Sequence, residues 1–294
     1  MENFVSVIVP VKNASDTIDE FLTALKSQNW SGNQFEIIVV DNGSVDDTIS
    51  RVEKYPVRLF FESNKSGPYS ARNLGISYAK GNIIALTDAN KIPEQNWIKK
   101  GVKALASNNA GLAAGKITFE ISEESSSSEV YDALTYNNNK KLVEEEGAAT
   151  TGNLFFYRDV YDQIDGFPEN IRSGMDIWWT KKAVKCGFKL VYSEDAVVVC
   201  KPRYFKEILK KSYRVGKSHP HNLKADGVSS VSIFMMTLRT FAPPKIKPLK
   251  ESILQTGLAV NLMPVWFVAW QSKIFMALGR LNGLLRKDAI KTNR

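Results

Sequence analysis

Asp41, Asp88 and Asp176 are the residues of this chain whose type and setting point most directly to chemistry. Asp88 stands in Asn82-Ile83-Ile84-Ala85-Leu86-Thr87-Asp88-Ala89-Asn90-Lys91-Ile92-Pro93. There Ile83 to Leu86 reads as a short buried strand, and Pro93 blocks its continuation. A carboxylate at the carboxyl end of a buried strand adds little to packing, and open α/β sheets bind ligands beyond those strand ends. Asp41 repeats the arrangement, because Asp41-Asn42-Gly43-Ser44 follows the apolar run Phe35 to Val40. Two such acids on one rim can accept hydrogen bonds from a nucleobase and a ribose; alternatively, Asp41 and Gly43 form a turn before a helix capped by Ser44. Asp176 opens a helix in Ser173-Gly174-Met175-Asp176-Ile177-Trp178-Trp179 that runs to Lys185, with Gly187 as its stop. As a first-turn acid it favours the helix dipole by well under ~1 kcal/mol. Trp178 and Trp179 beside it suit the face of a sugar ring or, equally, a packed core.

Positioning these acids falls to alternating strand-like and helical patterns, which predict βαβ units and a mostly parallel sheet. Strands are expected over 5–11, 35–40, 57–61 and 83–86, and helices over 16–28, 46–54 and 68–80. In the last helix Ala71, Leu74, Gly75, Tyr78 and Ala79 share a face, Ser66 stands where a cap belongs, and Gly81 where a helix ends. Right-handed crossovers bring the strand ends to one side. That side collects Pro10 to Asn13, Asp41 to Ser44, Ser63 to Gly67 and Asp88 to Asn90. Further along, the pattern predicts a helix over 97–107, a strand over 112–119 and an exposed serine-rich loop over 122–128. A polar helix over 131–146, weakened by Asn137 to Asn139, a strand over 152–157, a helix over 158–164 and a turn at Asp165-Gly166-Phe167-Pro168 follow. No G-x-G-x-x-G follows the first strand and no G-x-x-x-x-G-K-[ST] occurs, which argues against a dinucleotide site and a P-loop.

With 294 residues, 44% hydrophobic and 24% charged, the chain is an ordinary globular protein large enough for one sizeable α/β domain with an appendage. Cys186 and Cys200 form no disulfide framework, which fits a reducing compartment, and Phe4 to Val11 reads as a strand rather than a signal peptide. The +8 charge is unevenly placed: net −6 up to Cys200 and net +14 from Lys201 onward. A basic tail suits nucleic acid, anionic lipid or phosphorylated substrates. Its apolar content favours lipid over nucleic acid.

Several motifs in register resemble the inverting family 2 glycosyltransferases of the GT-A fold. They are Val7-Ile8-Val9-Pro10-Val11-Lys12-Asn13; Val40-Asp41-Asn42-Gly43-Ser44 with Asp46-Asp47-Thr48; Gly67 through Ala71-Arg72-Asn73 to Gly75; Asp88-Ala89-Asn90; and Gly166-Phe167 ahead of Gly174-Met175-Asp176. The resemblance covers Val5 to about Gly216. It implies a GT-A catalytic domain over 1–215, with a nucleotide-binding half to about 110 and an acceptor half after it, and an extension over 216–294. It also implies a nucleotide-diphosphate-sugar donor, a UDP-sugar first among them, bound by Pro10, Val11, Asn13, Asp41, Gly67, Arg72, Asp88, Ala89 and Asn90. Asp88 matches the first acid of the family's Asp-X-Asp motif, and Asp176 its catalytic base. A fixed carboxylate within hydrogen-bond reach activates a poorly nucleophilic hydroxyl.

Three departures bear on the divalent cation, Mg²⁺ or Mn²⁺, that the resemblance implies. Asn90 replaces the motif's last Asp, Met175 stands where the family often has Glu, and Cys200 where many members put a metal-binding His. Hard cations prefer charged oxygen ligands. A weakened metal site at Asp88 and Asn90, a metal-free site whose pyrophosphate is neutralised by Lys91, Lys201 or Arg214, and an inactive sugar-nucleotide binder all remain open. A sugar nucleotidyltransferase is a further alternative, but Lys12-Asn13-Ala14-Ser15 lacks the glycine-rich loop it would need.

In the extension, Tyr213 to His221 resembles the flexible basic loop of related transferases. Arg214, Lys217 and His219 join Lys201, Trp178 and Trp179 as candidates for pyrophosphate or acceptor contacts. Ile253 to Trp270 is apolar but broken by Gln255, Asn261 and Pro264, and Ile274 to Leu285 is amphipathic and ends in Arg286 and Lys287. These stretches fit an interfacial anchor behind Lys245, Lys247 and Lys250, an oligomer contact or, least well, a membrane span. The expectation is a cytoplasmic enzyme, peripheral on the inner face of the membrane, acting on a glycan or lipid-linked acceptor.

Overall fold

A computed structural model describes residues 3–30, 34–136, 138–169, 173–225 and 227–285. The elements run β1 (Val5–Val11), α1 (Ile18–Lys26), β2 (Phe35–Asp41), α2 (Thr48–Val52), β3 (Arg58–Phe61), α3 (Pro68–Tyr78), β4 (Ile83–Thr87), β5 (Lys91–Pro93), α4 (Trp97–Ser107) and β6 (Leu112–Phe119). Then come α5 (Ser127–Thr135), α6 (Asn139–Lys141) with a π-helical turn (Leu142–Glu146), β7 (Asn153–Tyr157), α7 (Arg158–Ile164), α8 (Met175–Lys185) and β8 (Leu190–Cys200). The chain continues as α9 (Phe205–Ala225), α10 (Ser230–Thr240), α11 (Ile246–Thr256) and α12 (Leu262–Leu285). Two compact units result, one of Met1–Glu120, Asn137–Ile171 and Met175–Lys201, the other of Ile121–Tyr136, Arg172–Gly174 and Pro202–Arg294.

The first unit is the expected α/β architecture, an eight-stranded sheet ordered β3-β2-β1-β4-β7-β6-β8-β5 and flanked by helices. The nucleotide-binding half is parallel, with β1 between β2 and β4 and β3 outside β2, while β7 pairs antiparallel with both β4 and β6. Strand side chains alternate faces. Accordingly Val5, Val7, Val9 and Val11 bury against α1 and α4, whereas Ile8 joins Ile38, Val40, Ile84 and Leu86 beneath α3, α7 and α8. Each such aliphatic side chain contributes roughly 1.5–3 kcal/mol by leaving water. At Gly75 an added Cβ would stand 2.5 Å from Ile8 Cγ2, so this glycine lets α3 settle directly on the sheet.

Several expectations change. Ser66 does not cap α3; Gly67, at φ 131°, takes the cap position ahead of Pro68. The serine-rich stretch is loop only as far as Ser125, because Ser126 and Glu129 form a capping box that starts α5. The polar helix expected over 131–146 is interrupted, since Asn139 is buried and its side chain bonds Gly115 O and the Thr150 amide and hydroxyl. Asn137 of that run lies outside the described residues. β5 and β8 are not among the expected strands: Ser193-Glu194-Asp195 splits β8 into two apolar runs, Leu190 to Tyr192 and Ala196 to Cys200, and β5 is a three-residue edge strand, where Pro93 is tolerated.

The second unit overturns the flexible loop expected from Gly216. Tyr213 to His221 lies inside α9. Helix packing explains this, because a Cβ on Gly216 would meet Met276 O at 2.1 Å and one on Gly279 would meet Tyr213 O at 2.1 Å, so the backbones of α9 and α12 touch. Ser212 and Ser272 hydrogen bond across the same crossing at 2.7 Å. Among the described residues no helix is long and apolar enough to cross a membrane. The apolar stretch over 253–270 is interrupted at Gly257 (φ 71°), and Ile253 and Val265 bury against Val130. Ile253, Val265, Val268 and Ala269 are thus core, whereas Leu254, Met263 and Phe267 of the same stretch stay exposed. Arg286 and Lys287, expected to end the amphipathic segment, lie outside the described residues.

His219 is part of this packing. Arg280 donates to its Nδ1 at 2.9 Å, and burial together with that cation pushes its pKa down to about 4. The unfolded chain, with an ordinary value of 6.5, binds a proton that the folded chain refuses. Stability should therefore hold above pH 6.5 and fall progressively as the pH drops toward 4. His219→Gln should flatten that decline in urea melts, and an unchanged slope would contradict this placement.

Candidate active site

The rim above β1, β2 and β4 is assembled from short side-chain-to-backbone bonds. Asp41, buried at the end of β2, accepts the amides of Gly43 and Ser44 at 2.9 and 3.0 Å, the turn geometry that was one of its two readings. The Asn13 amide donates to Ser44 Oγ at 2.8 Å, and Asn13 Oδ1 accepts the Val45 amide at 2.9 Å. Ser44 thus ties two loops together and caps no helix. Ala14 and Ser15 donate to Thr48 and Asp46, so Pro10, Val11 and Asn13 share a cross-linked edge with Asp41. Asn42 extends it: its Oδ1 accepts the Gly67 amide at 2.7 Å and its Nδ2 donates to Glu62 O and Lys65 O.

That bond fixes the start of α3, whose first turns carry the centre of the site. Arg72 Nη2 donates to Asp88 Oδ1 at 2.5 Å, and the guanidinium lies 5.6 Å from the centroid of the Tyr69 ring. The Tyr69 hydroxyl donates to Asp176 Oδ1 at 3.1 Å and accepts the Met175 amide at 3.2 Å, tying α3 to the first turn of α8. Asp88 and Asp176 therefore share one neighbourhood, connected by two residues a single helical turn apart. Burial pushes the Asp176 carboxyl above the ordinary aspartate range, only partly offset by the charge of Arg72 and by hydrogen bonds. The next residue, Asn73, points elsewhere and pins the Asp165-Gly166-Phe167-Pro168 turn by bonding Phe167 N and O at 2.9 and 2.8 Å.

The remaining candidates divide. Trp178 is 41% exposed beside Asp176, with Lys182 Nζ 5.5 Å from its ring. Trp179 is fully buried among Phe156, Tyr161 and Phe167 and donates to Asp165 O at 2.8 Å, so it is core and not a platform for a sugar. Lys201 pairs with Glu20 at 2.5 Å on the surface of the first unit. Arg214, Lys217 and His219 belong to α9 in the second unit, helical rather than looped, with His219 committed to Arg280. Ala89 is buried between Asp88 and Asn90. Sequence reasoning missed Tyr69, Asn42 and Asn73. An aromatic residue at the second position of a helix that opens on a carboxylate rim was the available signal for Tyr69.

The expected divalent cation meets a specific obstacle. Lys91, almost fully buried, donates through Nζ to Asp88 Oδ2 and, at 3.3 Å, to Asn90 Oδ1. Those oxygens are the ones a metal would take. Among the described residues no group of three or more His, Cys, Asp and Glu side chains could hold one. The residues present do not fit the ion.

Arg72→Met should lower the urea midpoint. The cost should stay below the roughly 3–5 kcal/mol of a fully buried pair, since Asp88 keeps 32% of its side chain exposed. Combined with Asp88→Asn, the two losses should be non-additive by more than about 0.5 kcal/mol. Strict additivity would show that the pair does not interact.

Comparison with known proteins agrees with this geometry. Residues 6–165 match the model of glycosyl transferase family 2. Glycosyltransferase AglE of Haloferax volcanii is 33% identical over 297 residues, covering 97% of both chains. The poly(ribitol-phosphate) beta-N-acetylglucosaminyltransferase TarS of Staphylococcus aureus is 34% identical over 99 residues, 32% of this chain and 17% of that protein. In fold, the chain resembles the mannosyltransferase PcManGT of Pyrobaculum calidifontis, solved with GDP-Man and Mn²⁺, at a TM-score of 0.64 and 21% identity over 97% of this chain and 88% of that one. A family match spanning more than half of the sequence, with a relative similar along nearly all of it, makes this chain a family 2 glycosyltransferase of the GT-A fold.

Proposed function

We propose that the protein is an inverting transferase that moves a sugar from a nucleotide-diphosphate-sugar, a UDP-sugar first among candidates, to a hydroxyl of a glycan or lipid-linked acceptor in surface-polysaccharide assembly. The observation that carries this reading is the bridge from Asp88 through Arg72 and Tyr69 to Asp176. It sets a donor-side acid and a half-buried carboxylate in one neighbourhood. In this reading Pro10, Val11, Asn13 and Asp41 border the base, and Gly67, Arg72, Asp88, Ala89 and Asn90 border the ribose and diphosphate. The exposed face of Trp178 meets the acceptor.

Asp176 accepts the acceptor hydroxyl's proton as its oxygen attacks the anomeric carbon. The bond to the diphosphate breaks on the opposite face, its electron pair leaves with the phosphate oxygen, and the configuration inverts. A carboxyl raised by burial is a stronger base than an ordinary aspartate. Tyr69 holds that carboxylate in one orientation, which is what a near-attack geometry requires.

Asp176→Asn should lower transfer by about 10²–10⁴-fold while leaving donor affinity unchanged. The sign of the pKa shift adds a stability readout. A folded carboxyl that holds its proton more tightly than the unfolded one loses stability as the pH rises past the ordinary 3.8. The Asn variant should therefore be at least as stable as the parent at pH 7. Undiminished transfer, or a stability loss that accounts for the missing activity, would contradict the assignment.

A lipid-linked acceptor places the enzyme at a membrane surface, and α10 supports that location. Val231, Phe234, Met235 and Leu238 follow i, i+3, i+4, i+7 spacing and are each 45–73% exposed, while Ile233 and Thr237 are buried. Exposed Lys245, Lys247 and Lys250 follow, so the apolar stripe is succeeded by charge that complements anionic headgroups. Sedimentation with phosphatidylglycerol vesicles should capture the protein. Phe234→Ser with Leu238→Ser should weaken capture by about tenfold or more, and equal capture would exclude α10 as the contact.

A further inference from the structure

The residue that follows the Asp-X-Asp position here is a lysine, and its side chain turns back into the motif. Lys91 starts β5, which pairs antiparallel with β8 so that Lys91 stands opposite Cys200. Only 2% of its side chain is exposed. Its stem passes Gly152, where an added Cβ would come within 2.6 Å of Lys91 Cε, so the loop before β7 leaves room for this side chain and for no larger neighbour. The Thr87 hydroxyl donates to Gly152 O at 3.2 Å and holds that loop against the end of β4. The ammonium thus reaches Asp88 Oδ2 and Asn90 Oδ1 from below, while Arg72 takes Asp88 Oδ1.

We infer that Lys91 is a resident cation in the place of the divalent ion, so that this transferase binds the diphosphate of its donor without metal. Two departures from the family pattern and one buried cation converge on that conclusion. Asn90 removes a charge that a metal would need, Cys200 supplies a thiol where a hard ion prefers nitrogen or oxygen, and Lys91 supplies the positive charge both changes leave out. Arg72 and Lys91 offset the charges of Asp88 and Asp176 without an ion, so two fixed cations are already present to face the diphosphate and the charge that builds on it as a leaving group. Lys91 is a positioning residue in this scheme: it acts by holding Asp88 and by its field, from a buried site where charge is poorly screened.

The inference rests on the nucleotide-sugar reading above, and the test separates the two. Calorimetric titrations with UDP, GDP and dTDP, and with the parent nucleosides, would be run on the full chain in EDTA and in excess Mn²⁺. The expected result is diphosphate binding of equal affinity in both buffers. Lys91→Met and Lys91→Gln should lose about tenfold or more of that affinity in EDTA, with nucleoside affinity unchanged. A merely structural lysine would move nucleoside and diphosphate binding together. Diphosphate binding that tightens about tenfold or more in Mn²⁺, or variants that match the parent in EDTA, would overturn the role of Lys91. Failure of every nucleoside diphosphate to bind would overturn the donor reading, and the inference with it.

Discussion

A buried guanidinium facing carboxylates on two sides is the interaction on which the rest of this structure depends. Arg72 is almost wholly removed from water, and an unpaired charge there would cost several kcal/mol. Its bond to Asp88 and its field at Asp176 offset that cost only if α3 lies at a fixed height and rotation above the sheet. The height comes from Gly75, which admits the Ile8 methyl, and the rotation from Gly67, held by Asn42 at the end of β2. Asn73 then orders the turn that leads toward α8. A glycine in the left-handed region, a helix without a side-chain cap and a strand-end amide thus serve one electrostatic purpose.

The same economy explains the strand-end loops. Each carboxylate on the rim is held in place by backbone amides or by a cation: Asp41 by Gly43 and Ser44, Asp46 by Ser15 and Thr48, Asp88 by Arg72 and Lys91. Orientation is therefore set before any ligand arrives. Preorganised charge of this kind is what transfer of a sugar to a hydroxyl requires, since the leaving diphosphate gains charge and the attacking oxygen loses a proton.

Much of this was legible in the sequence because parallel sheets announce themselves. Buried apolar runs, each ending in Asp or Asn, located β1, β2 and β4 and their acids to within a residue or two, and the helices over 97–107 and 158–164 fell on their expected bounds. What was not legible depended on contacts between distant parts of the chain. Trp179 looked as available as Trp178 because the two are adjacent, yet successive helix positions lie about 100° apart, and only the packing of Phe156 and Phe167 decides which one is core. The helix through Gly216 and Pro220 carries two poor helix formers, and its reason is the backbone of α12 rather than local propensity. In the sequence Lys91 is one of three cations, with Lys201 and Arg214, that could neutralise a pyrophosphate, and only the pairing of β5 with β8 sets it apart by burying it.

The central claim is that one displacement, aided by Asp176, moves the sugar. Proton NMR of the anomeric coupling in the first-formed product, using whichever nucleotide sugar raises the melting temperature most, tests it directly. The account predicts a product of configuration opposite to that of the donor. A product that retains the donor's configuration would require two displacements and a covalent or ion-pair intermediate, and would contradict it.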